Sequence, residues 1–108
     1  MNRGEVWWVQ FDPAIGGEIR KERPAVIVSN DESNRRLNRL QVVPVTSRVD
    51  RIYSSEASVT VAGRPGKAMA HQLTTVSKLR VREQVGRLTQ AEMARVDRAM
   101  AVQLGMSH

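Results

Sequence analysis

With 108 residues, 41% of them hydrophobic and 26% charged, the chain has the composition of one globular domain over residues 1–108 rather than that of a disordered segment. It lacks cysteine, any apolar run long enough to cross a bilayer and a visible signal peptide after Met1, so disulfides and thiolate chemistry are excluded and a cytoplasmic protein with no membrane partner is expected. The formal net charge is +6, which predicts a polyanionic partner such as nucleic acid, an acidic protein segment, or both.

Arginine supplies most of this charge, since 14 of the 17 basic residues are arginine. Its planar fork pairs bidentately with phosphate and with base edges, which lysine cannot do. The alternative is a generically basic surface with no specific partner. High-GC coding also raises the arginine content, so the charge alone does not choose between these two interpretations.

Three strands are predicted in the first half of the chain, where β-branched and aromatic residues are concentrated. The predicted elements are a strand over 5–11 (EVWWVQF), a loop over 12–22, a strand over 24–30 (PAVIVSN), a short helix or turn over 31–34, and a strand over 40–47 (LQVVPVTS). The centre of the first strand is apolar on both sides, as expected for a strand covered on two faces. Pro44 predicts an edge position or a bulge for the third strand, because proline cannot donate to a sheet ladder.

Shorter strands and one helix are predicted in the second half. The strand candidates are 56–61 (EASVTV), KAMAHQL and VREQVGRL; a turn signal, AGRPG, follows the first, and a polar stretch around 74–78 separates the other two. Thr89 and Glu92 have the spacing of a capping box, which predicts where the last helix starts. The apolar stripe along this helix is predicted to pack on the sheet, with Gly105 at its end; it consists of Met93, Val96, Met100 and Leu104.

This order of elements predicts an α+β fold. Five to seven short strands precede a single C-terminal helix, so we expect a small, strongly bent sheet or partial barrel with the helix packed against it. Trp7 and Trp8 are predicted either to stack on nucleotide bases or to lie in the core or in a dimer interface.

Several chemistries are excluded by what the sequence lacks. His71 and His108 are the only histidines, and two histidines at that spacing do not make a zinc site. There is no Walker loop, dinucleotide fingerprint or G-x-S-x-G elbow. The sequence therefore predicts no metal and no cofactor, and any catalysis must use arginine, carboxylate and hydroxyl groups. These groups occur at strand ends, in Glu18–Arg23, Thr46–Arg48 and His71–Gln72.

Five motifs occur in an order and at a spacing that closely resemble the MazF/PemK family of toxins from bacterial toxin–antitoxin pairs. They are RGEVWWVQFDP, GGEIRKERPAVIVSND, VVPVTS, QLTTV and VGRLTQAEMARVDRAMAVQLG, and the resemblance covers about residues 3–105. It implies an SH3-like β-barrel of the CcdB/MazF type, assembled as a homodimer. It also implies a sequence-specific, metal-independent endoribonuclease that cleaves single-stranded RNA, either mRNA or tRNA, and that is neutralised by a cognate acidic, MazE-like antitoxin.

The resemblance further implies the chemistry and the residues that perform it. The 2′-hydroxyl of the substrate attacks the adjacent phosphate and leaves a 2′,3′-cyclic phosphate and a 5′-hydroxyl end. Arg23 is expected to bind the scissile phosphate and to protonate or neutralise the leaving oxygen, Thr46 to donate to a phosphoryl oxygen, and Glu18 to accept the 2′-hydroxyl proton. The expected RNA-binding residues are Arg20, Lys21, Ser47, Arg48, His71 and Gln72.

This chain departs from the family pattern at three places. Gly17 replaces the usual serine before Glu18, His71 replaces an acidic residue, and Thr74 replaces a basic one, so the cleavage motif of a relative cannot be transferred. Two other functions are compatible with the same fold: a CcdB-like toxin that targets gyrase and a non-cleaving RNA-binding barrel. The LGMSH tail lacks the terminal aromatic signature of CcdB, which counts against the first of these.

Overall fold

Seven strands and two helices are formed by residues 1–11 and 22–106, which are the residues described by our computed structural model. The strands are β1 (Glu5–Gln10), β2 (Glu22–Ile27), β3 (Arg39–Thr46), β4 (Glu56–Val61), β5 (Arg64–Met69), β6 (Thr74–Ser77) and β7 (Val81–Arg87). The helices are α1 (Asp31–Arg36) and α2 (Gln90–Gln103). Single 3₁₀ turns at Ala70–Gln72 and Lys78–Arg80 flank β6. None of these helices is both long and apolar enough to span a membrane.

The strands form one antiparallel, curled sheet in the order β4-β5-β3-β2-β1-β7. β6 pairs with the first half of β3, and β5 pairs with the second half of the same edge. The turn at Lys78–Arg80 then carries the chain from β6, beside β3, to β7, beside β1, and so draws the sheet into a partial barrel. The predicted α+β fold, with five to seven strands and a C-terminal helix, is confirmed.

Apolar side chains are buried on both faces of this sheet. Val26 of β2 belongs to the cluster that packs against α2, whereas its neighbours Ala25 and Ile27 belong to a second cluster on the opposite face. The second cluster is completed by residues from the curled edges, among them Val76 of β6 and Val81 of β7. The continuous apolar run of β2 is therefore explained by burial of its alternate residues on two different faces.

The two tryptophans of β1 have different surroundings. Trp7 is half-buried against the second cluster, and its indole N–H donates to Glu5 Oε1 at 2.9 Å. Trp8 is 38% exposed, so β1 is not covered on both faces along its whole length as its sequence predicted. The β1–β7 ladder has two register irregularities next to these tryptophans, one between Val6 and Trp7 and one between Trp7 and Val9.

Helix α2 begins at the predicted capping box. Thr89 Oγ1 accepts from the backbone N–H of Glu92 at 3.1 Å, and Glu92 Oε1 accepts from the N–H of Thr89 at 2.8 Å. The second carboxylate oxygen of Glu92 accepts from the backbone N–H of Thr60 at 2.6 Å, which ties the helix to β4. One carboxylate therefore both caps the helix and fixes its position on the sheet.

The apolar stripe of α2 is shorter than predicted. Met93, Val96 and Ala99 are buried, but Leu104 is 57% exposed. The reason is that α2 ends at Gln103 and the chain then turns at Gly105, which has a φ of 71°. The predicted position of Gly105 at the helix end is confirmed, whereas the prediction of Leu104 as a packing residue is wrong.

Two further expectations about β3 and its neighbours are corrected: the strand-free polar stretch around 74–78, and the edge position that was one of two alternatives for Pro44. The polar stretch around 74–78 contains a strand, β6, whose Thr74 pairs with Val42 of β3. β3 is central rather than at an edge, since β2 lies on one side of it and β5 and β6 lie on the other. On one side of β3, Val42 pairs with β6 and Val45 pairs with β5. Pro44 lies between these two residues, where one neighbouring strand replaces the other, and it is tolerated there.

The turn between β4 and β5 provides a test of backbone strain. Ala62 and Gly63 have φ values of 51° and 78°, the pair of positive angles found in a type I′ hairpin turn. Because alanine is disfavoured at positive φ and asparagine is tolerated, we expect Ala62→Asn to raise the free energy of unfolding by about 1 kcal/mol in urea denaturation. Gly63→Ala should have the opposite effect, and equal stability of the two variants would contradict this view of the turn.

Candidate active site

Arg23 and Thr46 lie at the ends of neighbouring strands. The β2–β3 ladder ends with Ala25 opposite Pro44, and Arg23 of β2 and Thr46 of β3 each lie two residues beyond that pair, at the same end of the ladder. Arg23 is paired with Val9 of β1, which holds its backbone within the sheet. Two residues that are distant in sequence are thus brought together by strand pairing alone.

An open groove of about 910 Å³ begins at this pair of residues. Four cationic and two acidic side chains contribute to its lining, which leaves a formal excess of two positive charges. The lining residues are Arg23, Thr46, Ser47, Arg48, Asp50, Arg51, Tyr53, Glu56, Lys67, Met69 and Gln72. A groove with this charge is suited to an anionic chain such as RNA.

The hydroxyl group of Thr46 is oriented by the turn that follows β3. The backbone N–H of Arg48 donates to Thr46 Oγ1 at 3.3 Å. Because this contact uses a lone pair of the hydroxyl oxygen, the O–H remains able to donate to an anionic oxygen in the groove. The geometry therefore suits Thr46 as a hydrogen-bond donor to a phosphoryl group.

Gly66 of β5 allows β3 to approach closely at this point. A Cβ on residue 66 would lie 2.9 Å from the backbone oxygen of Thr46, which is closer than real contacts allow. We expect Gly66→Ala to displace Thr46 and to lower the rate of RNA cleavage on the order of tenfold in a fluorogenic oligonucleotide assay. Gly86→Ala is the control, because its Cβ would meet Ala62 N at 3.9 Å, an ordinary contact. A Gly66→Ala variant as active as this control would contradict the expectation.

A buried ion pair forms the floor of the groove. Lys67 Nζ lies 2.9 Å from Glu56 Oε1 and donates at 2.6 Å to the carbonyl oxygen of Arg51. Burial alone would raise the pKa of Glu56, but the N–H of Tyr53 and the Lys67 ammonium outweigh burial and hold this pKa below its usual value. The Glu56 carboxylate is therefore a charged structural group and is poorly suited to act as a general base at neutral pH.

Three buried carboxylates predict how stability depends on pH. Burial alone would raise the pKa values of Glu5, Glu56 and Glu92, but the hydrogen bonds that each accepts outweigh burial and lower all three. Their stabilising effect is thus complete above the ordinary glutamate pKa of about 4.3 and is lost as the pH falls through their lower folded values. We expect urea denaturation to show this loss, and Glu92→Gln to make it smaller. The exposed Glu83→Gln variant should keep the wild-type pH dependence, and an equal effect of both substitutions would contradict this assignment.

A second groove, of about 810 Å³, joins the first at Arg23, Thr46 and Ser47. Its other lining residues include the exposed ring of Trp8 and the side chain of Arg64. The two predicted catalytic residues that the structure describes therefore lie where the two grooves meet. This junction is the position from which both could contact a single phosphate group of a chain that runs along the surface.

The structure places the predicted site residues in three groups. Those that line the first groove are Arg23, Thr46, Ser47, Arg48 and Gln72. His71 is exposed in the 3₁₀ turn and does not belong to the lining of either groove. Glu18, Arg20 and Lys21 lie outside the described residues. No group of three histidine or acidic residues within 1–11 and 22–106 is arranged to hold a metal ion.

Six lining residues were not predicted from the sequence: Asp50, Arg51, Tyr53, Glu56, Lys67 and Met69. Glu56 and Lys67 lie diagonally across the β4–β5 hairpin, whose register pairs Glu56 with Met69 and Ser58 with Lys67. Opposite charges at diagonal positions of a hairpin attract each other. The two residues could therefore have been predicted as partners once the turn at Ala62 was assigned. Arg51 and Tyr53 have no comparable signal, because they lie in the irregular segment between β3 and β4.

Known proteins resemble this chain over nearly its whole length. Endoribonuclease MazF9 of Mycobacterium tuberculosis is 39% identical, with 98% of each chain covered. A crystal structure of MazE–MazF from Deinococcus radiodurans has a TM-score of 0.84 and 28% identity, and the match covers 99% of this chain and 97% of that one. A mycobacterial endoribonuclease in complex with its cognate antitoxin, at 24% identity, shares the fold with a TM-score of 0.82 over 100% of this chain and 98% of that one.

A family model gives the assignment directly. The model of the PemK-like, MazF-like toxins of type II toxin–antitoxin systems matches residues 2–104. This match includes every described residue at the junction of the two grooves. The chain therefore belongs to the PemK-like, MazF-like toxin family.

Proposed function

We propose that this endoribonuclease toxin cleaves single-stranded RNA, mRNA or tRNA, in a sequence-specific and metal-independent reaction at the junction of Arg23 and Thr46. The observation that carries the proposal is that this cation and this hydroxyl donor line the same positively charged groove, at the point where it meets a second groove. Fixed donors of this kind stabilise charge that develops on a phosphoryl group in the transition state.

The proposed reaction uses a nucleophile supplied by the substrate. The 2′-oxygen of the ribose forms a bond to the adjacent phosphorus, and the bond from phosphorus to the 5′-oxygen of the next nucleotide breaks. The products are a 2′,3′-cyclic phosphate and a 5′-hydroxyl end. An internal nucleophile removes the need for a serine or cysteine, which agrees with the absence of cysteine from the chain.

Arg23 and Thr46 have distinct roles in this reaction. Thr46 Oγ1 donates to a nonbridging phosphoryl oxygen, and Arg23 neutralises the charge that develops on the phosphorane and on the leaving 5′-oxygen. Because a guanidinium offers only N–H donors and a fixed positive charge, Arg23 acts by charge and hydrogen bonding, and the leaving oxygen takes its proton from water. Glu18 accepts the 2′-hydroxyl proton in this scheme, a role proposed from the family resemblance.

We infer that the same positively charged surface is covered by a cognate acidic antitoxin and that the toxin acts as a homodimer. The solved MazE–MazF structure supports the first point by analogy, and the excess of positive charge in the groove supplies the attraction that an acidic segment would need. Folding on binding is typical of such a segment. When the antitoxin is absent, the RNA would be contacted by Arg20, Lys21, Ser47, Arg48 and Gln72.

End mapping on a long RNA tests the chemistry. The purified protein in EDTA should release 5′-hydroxyl and 2′,3′-cyclic phosphate ends at a defined sequence, and Thr46→Ala should release far fewer. A single 2′-deoxynucleotide on the 5′ side of the cleaved bond should block cleavage there, because it removes the nucleophile. Continued cleavage of that substrate, or a requirement for a divalent ion, would refute the proposed mechanism. Salt-dependent RNA binding without any cleavage would instead support the non-cleaving barrel, and inhibition of DNA supercoiling would support a gyrase-targeting toxin.

A further inference from the structure

The segment around Arg51 and Tyr53 is fixed in place although it belongs to no strand or helix. Lys67 Nζ donates to the carbonyl oxygen of Arg51 at 2.6 Å, and the N–H of Tyr53 donates to Glu56 Oε1 at 2.9 Å. The N–H of Glu56 in turn donates to the carbonyl oxygen of Tyr53 at 2.9 Å. Three backbone atoms of this short segment are therefore held by β4 and β5.

The side chains carried by this fixed backbone face the groove and solvent. Tyr53 is 56% exposed and belongs to neither apolar cluster, so packing in the core does not account for its position. The Arg51 guanidinium lies 5.8 Å from the centre of the Tyr53 ring, and its Nη1 lies 3.4 Å from the Tyr53 hydroxyl. The Lys67 ammonium lies 5.7 Å from the same ring centre. An exposed aromatic ring thus lies beside a guanidinium, at a distance typical of a cation–π contact.

The ion pair below this segment has a positional role rather than a purely stabilising one. A buried pair is weak evidence for stability, because desolvation of the two charges offsets much of their attraction. Each member of the pair nevertheless forms one hydrogen bond with the backbone of the segment. Glu56 accepts from the N–H of Tyr53, and Lys67 donates to the carbonyl oxygen of Arg51. A ring and a cation that are held before a ligand arrives lose less conformational entropy when they bind it.

We propose that Arg51 and Tyr53 form a nucleotide-binding subsite for single-stranded RNA, in which a base next to the scissile linkage stacks on the Tyr53 ring and a neighbouring phosphate pairs with Arg51. The subsite rests on the proposed function, since it lines the same groove as Arg23 and Thr46. An exposed ring beside a guanidinium matches the alternation of base and phosphate along a single strand. Asp50 in the same lining offers a carboxylate that accepts from base N–H groups.

Stacking can be measured apart from cleavage with a probe oligoribonucleotide. Once the cleavage position is mapped, it is blocked with a 2′-deoxynucleotide and the base beside it is replaced by 2-aminopurine, whose fluorescence is quenched by stacking. We expect the wild-type protein to quench this probe and Tyr53→Leu to leave it bright. Tyr53→Phe keeps the ring and should quench the probe as the wild-type protein does. Quenching by this variant would mean that the loss in Tyr53→Leu comes from the missing ring and not from the missing hydroxyl.

Steady-state kinetics on a cleavable RNA provide the second measurement. Tyr53→Leu and Arg51→Gln should each raise KM about tenfold while kcat changes little, because the subsite binds a part of the substrate that does not react. Ile52→Ala is the matched control, since Ile52 lies between the two residues, is 42% exposed and does not line the groove. Thermal unfolding of every variant must match that of the control.

The outcomes separate this inference from the proposed function. If the wild-type protein cleaves no RNA, the proposed function fails and the subsite fails with it. If the wild-type protein cleaves RNA but Tyr53→Leu keeps both the wild-type KM and the quenching, the subsite is refuted and the cleavage mechanism stands. Weaker binding of an acidic antitoxin peptide by Tyr53→Leu, with RNA kinetics unchanged, would overturn the inference and assign the surface to the antitoxin.

Discussion

Replacing Arg23 with alanine is expected to lower the rate of RNA cleavage by about 10²–10⁴-fold, the range found for a single group that stabilises charge or assists proton transfer in a transition state. The structure offers a physical reason, because Arg23 and Thr46 both lie where the two grooves meet. Arg23→Lys should recover part of the activity, since it keeps the charge but loses the bidentate fork. Initial rates on an oligonucleotide that contains the mapped cleavage site provide the measurement.

The control for Arg23 is an arginine that carries the same charge elsewhere. Arg98 of α2 is exposed and lines neither groove, so Arg98→Ala removes one positive charge and leaves the junction intact. We expect its cleavage rate to stay within about threefold of the wild-type rate at moderate salt, because long-range attraction between exposed charges is screened. An Arg23→Ala variant that cleaves as fast as Arg98→Ala would remove Arg23 from the mechanism.

The position of the segments Glu18–Arg23 and Thr46–Arg48 at strand ends was predictable from the strand sequences, whereas the choice of Arg23 and Thr46 within these segments came from the family resemblance. PAVIVSN and LQVVPVTS are apolar runs bounded by turn or charged residues, so the strand ends are visible without a structure. Once two such strands pair antiparallel, the polar residues beyond the apolar runs must face each other at one end of the ladder. The position of this site is therefore encoded locally, apart from the choice of partner strands.

The features that the sequence did not reveal depend on pairing between distant segments. β6 has a polar sequence, TTVS, and becomes a strand because the free edge of β3 supplies hydrogen-bond partners for it. Pro44 predicts an edge position by its missing N–H, yet a central strand tolerates it where one neighbour replaces another. Leu104 continues the helical period of α2, but α2 ends one residue before it. At β6 and Pro44 the tertiary surroundings override a local preference, whereas at Leu104 the turn at Gly105 ends the helix locally.

The floor of the groove is the clearest case of information that appears only with the hairpin register. Glu56 and Lys67 are eleven residues apart, and nothing in their immediate neighbours marks them as partners. The turn at Ala62–Gly63 fixes the register of β4 against β5, and that register places both side chains on the same face at diagonal positions. Arg51 and Tyr53 then acquire fixed positions through this pair.

Removing one member of the buried pair is expected to produce the largest change in stability. Lys67→Met should lower the free energy of unfolding by about 3 kcal/mol at neutral pH, because it leaves the Glu56 carboxylate in the groove floor without its cation. The pH dependence of stability at this residue should weaken, because the N–H of Tyr53 still lowers the pKa of Glu56 while the contribution of the ammonium is lost. In the wild-type protein the pKa of Glu56 is lowered, so its charge stabilises the fold fully at pH values above the ordinary glutamate pKa of about 4.3. In the variant burial is no longer offset by the ammonium, so the deficit should shrink as the pH falls and Glu56 is protonated.

A double-mutant cycle measured by urea denaturation separates the ion pair from the packing around it. Glu56→Gln alone leaves the Lys67 ammonium with the carbonyl oxygen of Arg51 and no counterion, whereas Glu56→Gln with Lys67→Met leaves neither charge of the pair. We expect the double variant to be more stable than Lys67→Met alone, with a coupling of about 1–3 kcal/mol between the two sites. Additive effects would mean that the two charges act independently. The double variant should still quench the 2-aminopurine probe less than the wild-type protein, because the carbonyl oxygen of Arg51 loses the donor that fixes it.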